Sequence, residues 1–221
     1  MTQVVEVSTS QGAARLHVDR AAHGVGTVIL GHGAGGGVTA PDLVTLARLL
    51  PGRGLSVVRV EQPWRVAGRR IAVAPLRLDQ AWLDTRGSWP EGPVIVGGRS
   101  AGARVASRTA VVSGAAGVVA LAFPLHPPGR AAPSRVDELA VDLPMLVVQG
   151  VADPFGGPEG FPKRAGLTIA SVPGDHAFAI GRGGPGTPTE VLALAAEIVA
   201  GWSHRLLAGN ADPSARRSKV S

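Results

Sequence analysis

A serine stands at position 100 in the run Gly98-Arg99-Ser100-Ala101-Gly102. It follows an apolar, β-branched segment (93–96) and precedes one of helical period, with Ala101, Val105 and Thr109 on one face. In that strand–turn–helix context, GxSxG is a nucleophile elbow. The sharp turn holds the serine in a strained conformation with Oγ exposed, and the residues two before and two after must be small because the chain passes close to itself. The new helix aims free N–H groups and its positive dipole end at the same spot. A Gly-rich turn that happens to contain serine is the plain alternative. Context argues against it, because a hydroxyl needs a base and the base needs an orienting acid. Behind such an elbow the acid comes next in the chain and the histidine last. Asp153 follows the apolar run MLVVQG, and His176 follows LTIASV.

Other titratable residues fit the pattern less well. Asp175 adjoins His176 and reads as a turn residue, while Asp142 precedes its strand and belongs to the opposite edge of a sheet. His17, His23 and His204 read as solvated. His126, in FPLHPPG, follows a strand and reads either as a substrate-loop residue or as simple loop packing. Acyl transfer also needs two N–H donors for a developing oxyanion. One is expected from Ala101, the residue after the nucleophile, and one from the loop GHGAGGG (31–37). Ala34 is the candidate there, with Gly35 its neighbour, and His32 is expected to be a structural hydrogen bonder. The same loop reads as GxGxxG, with Glu61 placed to bind a ribose. That reading is weaker: the next helix begins only near Pro41, and Ser100, Asp153 and His176 would be left unexplained.

These residues need a scaffold that brings loops together. Near-continuous apolar runs at 25–30, 55–60, 93–96, 117–123, 145–148 and 167–172 read as buried strands. Helix-period stretches fall between them: from Pro41 through Leu43, Leu46, Ala47 and Leu50; around Leu78, Ala81 and Trp82; from Ala101; and from Val191 through Trp202. Segments 4–7 and 15–18 alternate like an exposed hairpin. The alternation predicts an α/β fold, a mostly parallel central sheet with helices on both faces, with ligands at the carboxyl ends of the strands.

The chain has 221 residues, no Cys and a net charge of +6. One domain is expected over 1–208, with 209–221 a polar, disordered tail. Absence of Cys excludes disulfides, thiolate metal sites and a cysteine nucleophile. Neither Lys sits in a Walker loop. The pI of about 11.3 suggests nucleic acid, but all but two of the 22 basic residues are Arg and there is no Tyr. Almost nothing titrates above His, so a modest charge raises the pI steeply. No nucleic-acid partner is expected. No run reaches 18 apolar residues, and the first residues lack a signal-peptide pattern. The expectation is a cytoplasmic protein with no membrane partner. Nothing in the sequence sets an oligomeric state.

GHGAGGG, GGRSAGAR, FPLHPPG, QGVADPFG and GDHAF, in this order, resemble a small lidless α/β-hydrolase family related to dienelactone hydrolases. That family includes the hydrolase-like domain of a regulatory subunit of the NSL histone acetyltransferase complex. The resemblance runs over about 25–202. It implies an α/β-hydrolase fold with minimal or no lid, Ser100 as nucleophile, Asp153 as acid and His176 as base. Ala103 departs from the Gly expected after the elbow. Some relatives serve as interaction scaffolds, so a non-catalytic binding module is the alternative.

The expected activity is a serine hydrolase of small or medium soluble acyl esters, with no cofactor and no metal. Acyl transfer to another acceptor is equally compatible with these residues. The connection 124–143 is short and rich in Pro and Arg, which argues against a long-chain lipase. A second cover, 62–75, carries Trp64 with Arg65, Arg69 and Arg70. Trp64, Arg99, His126 and Arg130 are the candidate substrate contacts. The arginines either favour an anionic acyl group or pair with local carboxylates.

Overall fold

The computed structural model describes residues 1–127, 134–181 and 183–211. Arg130 and most of the predicted tail lie outside them.

Eight strands form one sheet: β1 (Gln3–Thr9), β2 (Gly12–Asp19), β3 (Gly26–Gly31), β4 (Leu55–Glu61), β5 (Val94–Arg99), β6 (Gly117–Leu121), β7 (Met145–Gly150) and β8 (Leu167–Val172). Their order is β1-β2-β4-β3-β5-β6-β7-β8. β1 and β2 form the predicted hairpin, β2 joins β4 antiparallel, and every other pairing is parallel. The helices are α1 (Pro41–Leu49), α2 (Pro63–Val66), α3 (Pro75–Asp84), α4 (Ala101–Ser113) and α5 (Pro188–Ala211).

Strand side chains alternate between two apolar layers, which is why both faces of each strand are apolar in sequence. Val28, Leu30, Val57, Leu121 and Val148 meet Leu43 and Leu46 of α1 and Val191, Ala195 and Val199 of α5. Ile29, Val58, Val96, Ala120 and Val147 meet Trp64 of α2, Leu78 and Trp82 of α3 and Val105 of α4. By length and composition Pro188–Gly209 could cross a bilayer, with a mean hydropathy of 1.3. Half of that stretch is buried, however, and its apolar face supplies the first layer.

Three details differ from expectation. α2 is a short helix that periodicity does not reveal, since four residues complete barely one turn. β6 stops at Leu121 because Ala122 takes a positive φ of 46°. α5 runs to Ala211, into the segment expected to be tail.

Several of the scattered arginines are held by the scaffold. Arg104 of α4 makes a two-pronged contact with Glu138 (2.8 and 2.6 Å). Arg108 bonds Asp79 of α3 at 2.8 and 2.7 Å and reaches Glu138 at 3.1 Å. Burial pushes the Glu138 carboxyl up, but the two guanidiniums outweigh it and hold the carboxyl below its usual range. The β6–β7 connection is thus fastened to α4.

Backbone meets backbone where β3, β5 and α4 converge. A Cβ on Gly98 would stand 2.5 Å from the Gly31 carbonyl oxygen and 2.7 Å from the Gly102 carbonyl carbon, and one on Gly102 would overlap the Gly31 carbonyl. Gly102→Ala should therefore cost about 1–3 kcal/mol or more by overpacking. Gly52→Ala, with open space around it, should stay within about 0.5 kcal/mol of wild type. Urea midpoints of the two variants check this; equal midpoints would refute the contact.

Candidate active site

Every loop singled out in the sequence leaves the carboxyl end of a strand: 32–40 after β3, Ser100 between β5 and α4, Asp153 after β7 and His176 after β8. Ser100 has φ 51° and ψ −111°, a region that a non-glycine residue rarely adopts. Its N–H donates to the Leu121 carbonyl (3.0 Å) and its own carbonyl accepts from Arg104 (3.2 Å), so the strained turn is held from both sides.

The three residues meet. Ser100 Oγ is 3.0 Å from His176 Nε2, and His176 Nδ1 is 2.8 Å from Asp153 Oδ2. The Asp153 side chain is fully buried, while that of His176 keeps 16% of its surface exposed. Asp153 Oδ1 accepts from the Phe155 N–H (2.8 Å), and Oδ2 accepts from Gln149 Nε2 (2.8 Å). The imidazole lies against the Phe155 ring, with centroids 4.2 Å apart. A serine, an imidazole and a buried carboxylate so arranged can pass a proton from Oγ to Nε2 while the carboxylate holds the Nδ1–H tautomer. Asp175 is the turn residue expected, its Oδ1 accepting from the N–H groups of Ala177 and Ala179 (2.8 and 3.0 Å).

Ala34 and Ala101 line one small pocket beside Ser100, together with Gly31, His32, Gln62, Trp64, Ala72, Leu78, Trp82, Gly102 and Val105. Ala101 opens α4, so its N–H has no acceptor within the helix. A larger groove of about 970 Å³ lies at the opposite ends of the strands, lined by Arg86, Trp89, Glu91 and Pro144 among others. It holds none of the three residues. Among the described residues no three His, Asp or Glu side chains form a metal-ligand set.

His32 bridges the loop to its neighbour: Nδ1 is 3.0 Å from the Gly33 carbonyl, and Nε2 accepts the Gln62 N–H at 3.2 Å. This is the structural role expected of it. It also displaces the dinucleotide reading, as does Glu61, which lies 3.3 Å from His17. That contact engages His17, which was expected to be solvated; His204 is exposed as expected and also bonds the Arg53 carbonyl (2.8 Å).

The candidate substrate contacts divide. Trp64 is buried in the pocket wall. His126 lies at the active edge, its N–H donating to the Phe155 carbonyl (2.7 Å), with the residue exposed. The Arg99 guanidinium is held by the scaffold on two sides, the carboxylate pairing expected as the alternative to a substrate contact. Its Nε lies 2.9 Å from Asp42 Oδ2, its Nη2 donates to the His176 carbonyl (2.8 Å), and its Nη1 underlies Gly33. Burial pushes the Asp42 carboxyl up against the opposing pull of Arg99. Arg99 therefore ties α1, the glycine loop and the His176 loop together from beside Ser100. Sequence reasoning missed Asp42, Gln149 and Phe155. Gln149 left a signal, a lone amide in a wholly apolar strand; Asp42 and Phe155 left none.

The comparisons agree with this architecture. Residues 24–204 match the model of the alpha/beta hydrolase domain, and the chain belongs to that family. Among solved structures it is similar to a lidless α/β serine hydrolase from Xanthomonas campestris. The two share 21% identity over 92% of this chain and 94% of that one, with a TM-score of 0.69. An α/β serine hydrolase homologue from Coxiella burnetii shares 18% identity over 90% and 97%, with a TM-score of 0.69. A dienelactone hydrolase from Anabaena variabilis shares 19% over 89% and 95%, with a TM-score of 0.65. At these identities the likeness is one of fold.

Burial holds the His32 imidazole below its ordinary pKa of 6.5. In the folded state it therefore resists the proton that the unfolded chain accepts. Its contribution to stability is present above about pH 6.5 and is lost as pH falls through the lowered folded value. Urea unfolding from about pH 7 to pH 5 should show wild type losing stability relative to His32→Gln. Parallel curves for the two proteins would contradict this.

Proposed function

We propose that the chain is a serine hydrolase of small, soluble carboxylic esters. Ser100 Oγ attacks the ester carbonyl carbon while His176 Nε2 takes its proton, and Asp153 stabilises the imidazolium. The oxyanion rests on the N–H groups of Ala34 and Ala101; losing one such donor typically costs about 10²–10³ in rate. As the tetrahedral intermediate collapses, the C–O bond to the leaving alcohol breaks and His176 returns the proton to that oxygen. Water then attacks the acyl-enzyme, His176 takes its proton and passes it to Ser100, and the acid leaves. The cycle needs no cofactor.

One observation carries the reading: hydroxyl, imidazole and buried carboxylate stand in line at 3.0 and 2.8 Å on a strained elbow. Structural hydrogen bonding alone does not require a serine at positive φ. Ala34 is favoured over Gly35 as donor because it shares a pocket with Ala101. Of the arginines expected to favour an anionic acyl group, Arg99 is paired with Asp42. The short cover 124–143 supports small substrates.

A fluorophosphonate probe tests the proposal. Wild type should label covalently, Ser100→Ala should not label, and His176→Ala should react slower by about 10³-fold or more. A folded wild-type protein that resists the probe would overturn hydrolysis and favour a binding module on the same fold.

A further inference from the structure

Of the three residues in line, the base has the least backbone to hold it. Ser100 is fixed through its own N–H and carbonyl, and the Asp153 carboxylate by Phe155 and Gln149. His176 lies in a turn between β8 and α5. Among the described residues neither its N–H nor its carbonyl makes a backbone hydrogen bond. The one group that holds its main chain is the Arg99 guanidinium, whose Nη2 donates to the His176 carbonyl at 2.8 Å.

Arg99 is placed in turn by Asp42, whose side chain is 3% exposed in the first turn of α1. Asp42 Oδ1 accepts the Leu43 N–H (2.9 Å), and Oδ2 lies 2.9 Å from Arg99 Nε. Among the described residues Arg99 is the one cation within ion-pair reach of this carboxylate. Separating them would leave a buried charge without its partner, so the guanidinium stays at a fixed distance from α1. A guanidinium presents its N–H groups as a rigid planar fork. Here Nε meets Asp42, Nη2 meets His176, and Nη1 stands 3.1 Å from where a Cβ on Gly33 would lie. Gly33 precedes Ala34, the oxyanion donor. One planar group, next in the chain to the nucleophile, thus sets the base and the oxyanion loop against each other. The single nitrogen of a lysine can meet the carboxylate or the carbonyl but does not span both.

We infer that Arg99, fixed by Asp42, is a positioning residue that keeps His176 Nε2 within reach of Ser100 Oγ. It acts through the His176 main chain and not on the substrate. The inference rests on the hydrolase reading and adds to it the device that aligns its base. A misplaced base slows proton transfer and leaves substrate binding alone, so the effect falls on kcat and not on KM.

The test is hydrolysis of p-nitrophenyl acetate by the full chain. Arg99→Lys keeps a charge beside Asp42 and should lower kcat by about tenfold or more, with KM within about twofold of wild type. Asp42→Asn, which releases the guanidinium, should act likewise. The double variant should lose no more than the worse single one, because both act through one contact. In Arg99→Ala, millimolar guanidinium chloride should recover part of the lost rate. Wild-type kcat in Arg99→Lys overturns the inference, as do additive losses in the double variant. A raised KM at unchanged kcat would make Arg99 a substrate contact instead. A merely structural pair would shift the urea midpoint and spare kcat, and an Arg99→Lys protein that does not fold would assign the pair to the scaffold. Failure of the hydrolase reading shows separately, as wild type that resists the fluorophosphonate. Alignment is then read without turnover, from the downfield proton resonance of His176 Nδ1–H bonded to Asp153. It should be sharp in wild type and broadened by solvent exchange in Arg99→Lys; equal resonances reject the positioning role.

Discussion

The close approach of three glycines is the constraint on which the site depends. Gly31, Gly98 and Gly102 bring β3, β5 and α4 together without side chains between them. Only at that distance can β5 turn directly into α4, and the turn forces Ser100 to positive φ. The conformation is unfavourable in isolation, and the surrounding contacts impose it. Strain at Ser100 and packing at the elbow are thus one physical fact. The same contact keeps Ala34 and Ala101 on a shared pocket, since the glycine loop leaves β3 where α4 begins.

Around this core the side chains sort by reach. The short ones, Ser100, Asp153 and His176, meet because parallel strands end at one edge of the sheet and each contributes one loop. The long ones hold those loops in place. Arg99 spans Asp42, the His176 carbonyl and the underside of Gly33, while Gln149 Nε2 meets Asp153, Gly156 and Phe123. Removing either long side chain would leave a buried carboxylate with fewer partners, the costly state for a charge out of water. A chain with a net charge of +6 therefore spends several of its arginines internally, and its high pI says little about what it binds.

Much of the architecture was legible in the chain. Strand and helix positions follow from local periodicity, which burial on two faces imposes directly on residue type. Ser100, Asp153 and His176 were legible for a related reason: each is a chemically distinctive residue just beyond a strand. α2 was not, because a single turn has no period to detect. The kink at Ala122 was not either, since alanine carries no mark of a positive φ.

The sequence by itself determined which groups stand at the strand ends, in what order, and on which kind of fold, because these are properties of neighbouring residues. Only the tertiary structure decided what each long or buried side chain touches. Arg99 could be read as serving a substrate or pairing with a carboxylate, and Asp42, distant in the chain, lies 2.9 Å away. Trp64 looked like a cover and stands in a wall, because α2 folds it under the glycine loop. Contacts of this kind depend on distances between segments far apart in sequence, which local composition does not encode.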